Sequence, residues 1–404
     1  MKRYQKVTLG LLAALALAAG LGWSMLDKET RGLLKTVPTN RDLLFWTEPQ
    51  RDAAFRALDR IALLAKWRVI EPSAQPRPLP PGPPLNLPLD LDAYLAGQRS
   101  AALLVLHKGQ LRLERYGLGF DAEGRWTSFS VAKSFTSTLV GAAIKDGAIR
   151  SLEDKVSQYV PGLRGSAYDD VSIRQLLTMS SGVKWNEDYT DRKSDVALFD
   201  RHQPDPGEDI TVSYMKRLPR EAPAGGKWVY KTGETNLIGV LVSSATGKTL
   251  SAYLSEKIWK PFGMEGEAIW MLGLTGHEIA GCCISARLRD YARFGLFILG
   301  GGKAGGKDVL PTDWLPQATQ KQAEIDQPGR GYGFQWWTYD TGSFAAQGIF
   351  GQGIFIDPKR KLIIASNGNW PTATDPEGVG KEREAMYQAV QAAVDAEAAH
   401  HGHP

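Results

Sequence analysis

Ser130 and Lys133 are the residues whose type and spacing most directly suggest chemistry. They lie in the run Thr127-Ser128-Phe129-Ser130-Val131-Ala132-Lys133-Ser134-Phe135, which continues apolar to Ile144. Residues three apart on a helix are neighbours, so this spacing brings the lysine amine beside the serine hydroxyl. An ammonium inside an apolar helix loses its hydration and is biased towards the neutral amine, which can accept the serine proton. The Ser130 backbone N–H, in the first helical turn, is a natural donor to an oxyanion formed on attack. By chance alone Ser-x-x-Lys arises often, and most such lysines extend to solvent, so the rest of the chain must support the chemistry.

The element that positions this pair is a helix. Ser128 is expected to cap its first turn, and Val131, Phe135, Leu139 and Ala142 or Ala143 fall on one face at helical spacing. Before it, residues 101–107 and 111–116 read as strands of a hairpin around Lys108-Gly109-Gln110. Strand signals return late, at 344–346, 353–356 and 362–366, and a terminal helix covers about 381–398. Between them, from about 152 to 262, the chain reads as helices and loops, including a helix within 171–182 stopped by Gly182. Strands at both ends with helices between predict an α+β fold, an antiparallel sheet flanked by helices with a helical insertion.

The 404 residues are 43% hydrophobic, enough for a large core. Lys plus Arg number 48 against 44 Asp plus Glu, a balance of +4 too weak to imply a nucleic-acid partner. Cys282 and Cys283 are the two cysteines, and a bridge between neighbours closes no useful loop. The histidines are scattered or in the tail, so neither a metal site nor a cofactor is expected.

Residues 1–26 join a cationic start to an uncharged apolar run that reads as a signal or membrane anchor. Its length favours an anchor, while Ala16-Leu17-Ala18 offers a cleavage site. The positive N-terminal side should stay in the cytoplasm, with the rest exported to a periplasmic or membrane-anchored position. Residues 27–70 read as short helices forming a stalk or an extra layer, with one apolar stripe through Phe55, Leu58, Ala62 and Ala65. Residues 71–88 are a Pro-rich linker before a hydrolase domain at 89–398, and 399–404 form a tail.

Further blocks follow in order: Thr178-Met179-Ser180-Ser181-Gly182, Trp185-Asn186-Glu187-Asp188-Tyr189, Tyr230-Lys231-Thr232, the stretch from Ala280 to Gly295, Tyr332-Gly333-Phe334-Gln335-Trp336-Trp337, and Ala346-Gln347-Gly348-Ile349-Phe350-Gly351-Gln352. With Ser130-Val131-Ala132-Lys133 they resemble the serine β-lactamase and penicillin-binding-protein superfamily. The resemblance runs from about Leu91 to Val390 and is strongest to the class C-like branch with esterases, D-aminopeptidases and 6-aminohexanoate-dimer hydrolases. It implies that Ser130 is the nucleophile and Lys133 its proton acceptor. Tyr230 is then the second proton-transfer group, its phenol lowered in pKa by the nearby lysine. It also implies an oxyanion site from the backbone N–H groups of Ser130 and Ile349, with Gly348 letting substrate approach the strand edge.

Two departures from the family pattern matter. Thr232 stands where many relatives have asparagine, and Gln347 stands in the Lys-Thr-Gly motif where a cation would pair with a substrate carboxylate. Both are candidate substrate contacts, as is Tyr189, which otherwise packs on Trp185. The substrate implied is a small-molecule ester or short linear amide. The competing functions are a β-lactamase or D-Ala-D-Ala-type peptidase, and a non-catalytic envelope binding protein.

Overall fold

The computed structural model describes residues 2–36, 38–60 and 65–401. Eight strands form the main sheet, in the order Gln110–Tyr116, Ser100–His107, Leu362–Gly368, Gln352–Asp357, Phe344–Gly348, Trp337–Tyr339, Arg330–Tyr332 and Ala323–Glu324. Every pairing is antiparallel. The early hairpin and the late strands meet where Leu104 lies opposite Ala365, so the two ends of the chain share one sheet. Lys108 (φ 52°) and Gly109 (φ 78°) close the hairpin, the paired positive φ of a tight two-residue turn.

Ser100–His107 is a continuous apolar run because both of its faces are covered. Leu104 and Leu106 point into the main core with Phe135, Leu139 and Phe294. Leu103 and Val105 point the other way, onto Met386, Tyr387 and Val390 of the terminal helix Val379–His401. Helix Ala132–Lys145 is buried almost throughout and packs on helix Thr232–Thr246 of the inserted helical region. The expected helix within 171–182 is shorter, Ile173–Leu177, with a Ser172/Gln175 capping box; it ends at Thr178, ahead of Gly182.

The described residues of 27–70 do not stand apart from the main domain, since Leu33, Trp46, Phe55, Leu58 and Ile70 belong to its core. Their first part forms helices Lys28–Lys35 and Glu48–Ala54, but Lys66–Ile70 is a strand. It belongs to a second sheet, in the order Lys66–Ile70, Ala268–Leu272, Ile284–Ala286 and Trp126–Thr127. Phe55 packs edge-on against Trp126 (5.9 Å) and Phe129 (4.9 Å), and the Arg51 guanidinium donates to Asn369 Oδ1 at 2.7 Å. A stripe read from helical spacing cannot show this, because the partners lie far away in sequence; Ala62 of that stripe lies outside the described residues. Nor does the Pro-rich stretch separate two units. It lies along the hairpin, with Gly82 N–H on the Leu111 carbonyl and Leu111 N–H on the Pro80 carbonyl, while Leu85, Leu87 and Leu89 pack against the terminal helix side of the sheet.

Helix Lys2–Met25 keeps its apolar side chains exposed. Its stretch Val7–Met25, 19 residues, is long and apolar enough to cross a membrane.

Candidate active site

Ser130 does not sit in the α-helix itself. It occupies a 3-10 turn, Phe129–Val131, that leads into Ala132–Lys145. Phe129 has φ 42°, a left-handed conformation unusual for a bulky residue, which packing of its ring against Phe55 and Phe350 holds in place. Ser128 is not the helix cap expected of it. Its hydroxyl donates to the Phe129 carbonyl and accepts from Ile284 N–H (both 3.0 Å), tying the turn to the second sheet.

Lys133 is buried, and its Nζ has three oxygen neighbours: Ser130 Oγ at 3.0 Å, Thr232 Oγ1 at 2.9 Å and the Gly281 carbonyl at 2.9 Å. The Gly281 carbonyl can only accept. The Thr232 hydroxyl donates its proton to the Glu187 carboxylate, so its oxygen also accepts from the amine. Two N–H bonds of Lys133 are thereby assigned, and in the neutral amine the remaining lone pair faces Ser130 Oγ. Burial lowers the Lys133 pKa from its ordinary 10.5 to about 8, while the Glu187 charge opposes that shift. Gly281 is itself held by Asn236 Oδ1, which accepts its N–H at 2.8 Å. Cys282 and Cys283, next in the chain, are bonded to each other.

The structure brings Tyr230 to the same point from a distant part of the chain. Its ring stacks on Trp337 (5.3 Å between centroids), and Lys133 Nζ lies 5.0 Å from the ring centre. Its phenol is not lowered in pKa. Burial raises it and the Glu187 charge adds to this, outweighing a hydrogen bond with Ser130 that favours the phenolate. The phenol is therefore protonated at neutral pH and holds its proton beside Ser130.

Phe344–Gly348 brings the oxyanion side into place. A Cβ built on Gly348 would lie 2.6 Å from the Ser128 carbonyl oxygen and 3.0 Å from Ser130 N, so only glycine allows this approach. Ile349 follows at the strand end, lining the same space as Ser130.

The expected substrate contacts fare differently. The Thr232 hydroxyl is committed to Lys133 and Glu187. Tyr189 packs against the core cluster that contains Trp185, and its hydroxyl donates to Glu187 Oε1 at 3.0 Å while its ring borders the cleft. Gln347 also borders the cleft, its amide 3.4 Å from the Tyr339 hydroxyl. Sequence reasoning placed Glu187 in a block but assigned it no task. It accepts from Thr232 N–H and its hydroxyl, from Trp185 Nε1 and from Tyr189, and so organises one wall of the site. The signal available was an acid two residues ahead of Tyr189.

Space opens on both sides of Ser130. A cleft of about 540 Å³, the more polar of the two, is bordered by Tyr230, Gln347, Arg330 and Arg383, and a more apolar cavity of about 160 Å³ adjoins it at Ser130. Ser130, Tyr189 and Ile349 line both.

Comparisons with known proteins bear on the family. The beta-lactamase family pattern matches residues 91–385. The 6-aminohexanoate-dimer hydrolase of Paenarthrobacter ureafaciens is 31% identical over 300 residues, covering 70% of this chain and 76% of that protein. Among solved structures, a Bacillus anthracis protein provisionally called a 6-aminohexanoate-dimer hydrolase superposes with a TM-score of 0.73 at 24% identity, over 88% of this chain and 96% of its own. A D-stereospecific amidohydrolase from Streptomyces sp. superposes with a TM-score of 0.54 at 19% identity, over 72% and 98%. These last two show a shared fold, and with the family pattern and the 31% identical relative they lead to one conclusion: the chain belongs to the beta-lactamase family and is a serine hydrolase of that type.

Proposed function

We propose that this chain hydrolyses esters or short linear amides through an acyl-enzyme on Ser130. The observation that carries the reading is the arrangement of three oxygens around Lys133 Nζ, which leaves a neutral amine only one direction for its lone pair, towards the serine. Lys133 takes the Ser130 proton as Oγ bonds to the substrate carbonyl carbon, and the N–H groups of Ser130 and Ile349 receive the oxyanion. As the carbonyl re-forms, the bond to the leaving oxygen or nitrogen breaks. Tyr230 supplies that atom with a proton and is reprotonated from the Lys133 ammonium. Water then repeats the sequence on the acyl-serine, and the acid departs.

Support for this substrate class comes from the 31% identical relative, named for a linear amide dimer, and from Gln347 in place of a cation. A β-lactamase or D-peptidase reading has its own support, since Arg330 and Arg383 border the cleft and offer a cation from elsewhere. For the domain's place in the cell, the cationic start followed by Val7–Met25 supports export with that helix as anchor or signal.

The test is a panel of p-nitrophenyl esters, short amides and a chromogenic cephalosporin, run on wild type beside Ser130→Ala. Ester or amide turnover that Ser130→Ala abolishes is the expected outcome. Cephalosporin turnover as fast as the best ester moves the assignment to the peptidase reading, and activity retained in Ser130→Ala removes Ser130 as nucleophile.

A further inference from the structure

The two spaces beside Ser130 differ in chemistry, and Tyr230 distinguishes them. Tyr230 borders the polar cleft, together with Arg330, Arg383 and Glu384. The apolar cavity is walled without it, by Leu43, Leu44, Phe45, Val196, Phe199 and Ile279, among others. A leaving group that takes its proton from Tyr230 must lie in the polar cleft. The other substituent of the carbonyl carbon, the acyl chain, then points towards the apolar cavity.

Part of that cavity's wall comes from outside the family-matched region. The segment 41–46 reaches across from the N-terminal layer and is fastened to the loop and helix after Tyr189. Asp42 pairs with Arg192 (3.1 Å) and Arg201 (2.8 Å), and the Arg192 guanidinium sits 4.0 Å from the centre of the Phe45 ring. Trp46 is buried, and its Nε1 donates to the Asn40 carbonyl at 3.1 Å, which stiffens the same turn. The ion pairs lie towards solvent and the leucines face inward, the arrangement of a fastened roof over an apolar space.

We propose that the cavity roofed by residues 41–46 binds a straight aliphatic acyl chain, and that this segment sets the acyl length the enzyme prefers. The inference rests on the acyl-enzyme reading above. Burying each further methylene strengthens binding until the cavity is full, a gain of about fourfold in kcat/KM per carbon. The wider cleft, where Arg330, Arg383 and Glu384 stand among its aromatic residues, gives a smaller return for carbons added to the leaving group.

The experiment compares two ester series on the full chain, one from acetyl to octanoyl on a common p-nitrophenol, the other with a common acetyl group and alcohols of increasing length. The expected result is a steep rise along the acyl series and a flat alcohol series. Leu43→Trp fills the cavity and should abolish the rise along the acyl series while the alcohol series stays flat; Val196→Phe narrows the same cavity and should act likewise. A flat acyl series with a steep alcohol series overturns the proposal, as does an acyl profile unchanged in both variants. Hydrolysis that survives Ser130→Ala points instead to failure of the acyl-enzyme reading, so the two failures are separable.

Discussion

Two lysines in this protein are equally buried and are put to different uses. Lys133 is 1% exposed and Lys231 is fully buried, and each lies at the start of a core helix. Lys133 Nζ meets three neutral oxygens at hydrogen-bond distance, and its nearest carboxylate, Glu187, acts through the Thr232 hydroxyl. Lys231 Nζ has no hydrogen-bond partner among the described residues but lies 3.6 Å from Glu234 Oε1. Burial raises the Glu234 carboxyl, and Lys231 together with the Ser181 and Tyr168 hydroxyls works against that rise. The difference teaches that burial alone does not make a base. Neutral acceptors around an amine let it lose its proton without leaving an anion stranded, whereas a carboxylate neighbour makes the cation part of the packing.

The largest expected effect separates the two on activity. Lys133→Met should lower kcat/KM by about 10³-fold or more, since a general base contributes on that scale. Its stability should move the other way. A fall in pKa from 10.5 to about 8 represents on the order of 3 kcal/mol favouring the neutral form. The unfolded chain therefore binds more protons than the folded one between these values, and wild-type stability rises with pH across that window. Measured by denaturant unfolding, any advantage of Lys133→Met over wild type should be greatest below pH 8 and shrink towards pH 10.5. An advantage that grows with pH would contradict the buried, removable proton.

Lys231→Met should act on stability instead, lowering it by about 3–5 kcal/mol because Glu234 is left without its partner. Lys231→Met combined with Glu234→Gln should recover most of the loss, since the glutamine oxygen still accepts from Tyr168 and Ser181. A double variant that regains its melting temperature but not its turnover would make Lys231 more than structural.

The smallest effect concerns Glu187. Its charge raises the Lys133 pKa against the effect of burial, so Glu187→Gln should shift the ascending, acidic limb of the kcat/KM profile to lower pH, below the midpoint near 8 expected for wild type. An unmoved midpoint would show that the Thr232 relay does not carry the charge to the amine.

Much of the frame was legible without coordinates. The runs at 101–107 and 362–366 read as strands because both faces of each are covered, and the Lys108-Gly109 turn is local chemistry. Ser130 and Lys133 were legible for a similar reason, since three residues along a helix is a local distance. Tyr230 and Gly348 were reached through family resemblance, because nothing in their own neighbourhoods separates them from a core tyrosine and a strand glycine. Lys66–Ile70 was misread as helical because its strand partner, Ala268–Leu272, lies some two hundred residues away. The direction of the Tyr230 shift was misjudged too, since a nearby lysine suggests a lowered phenol while burial and Glu187 raise it. Thr232 looked like a substrate contact until Glu187 was seen to take its proton.

By itself the sequence determined that a serine and a lysine sit one helical turn apart and that strand-like runs flank a helical middle, because periodicity and short spacings are properties of neighbouring residues. Only the tertiary structure decided which of two buried lysines is free to act as a base, which hydroxyls are already engaged, and that residues 41–46 roof a cavity beside Ser130. Those outcomes depend on which oxygens and charges arrive from remote segments, and no local pattern encodes such an arrival.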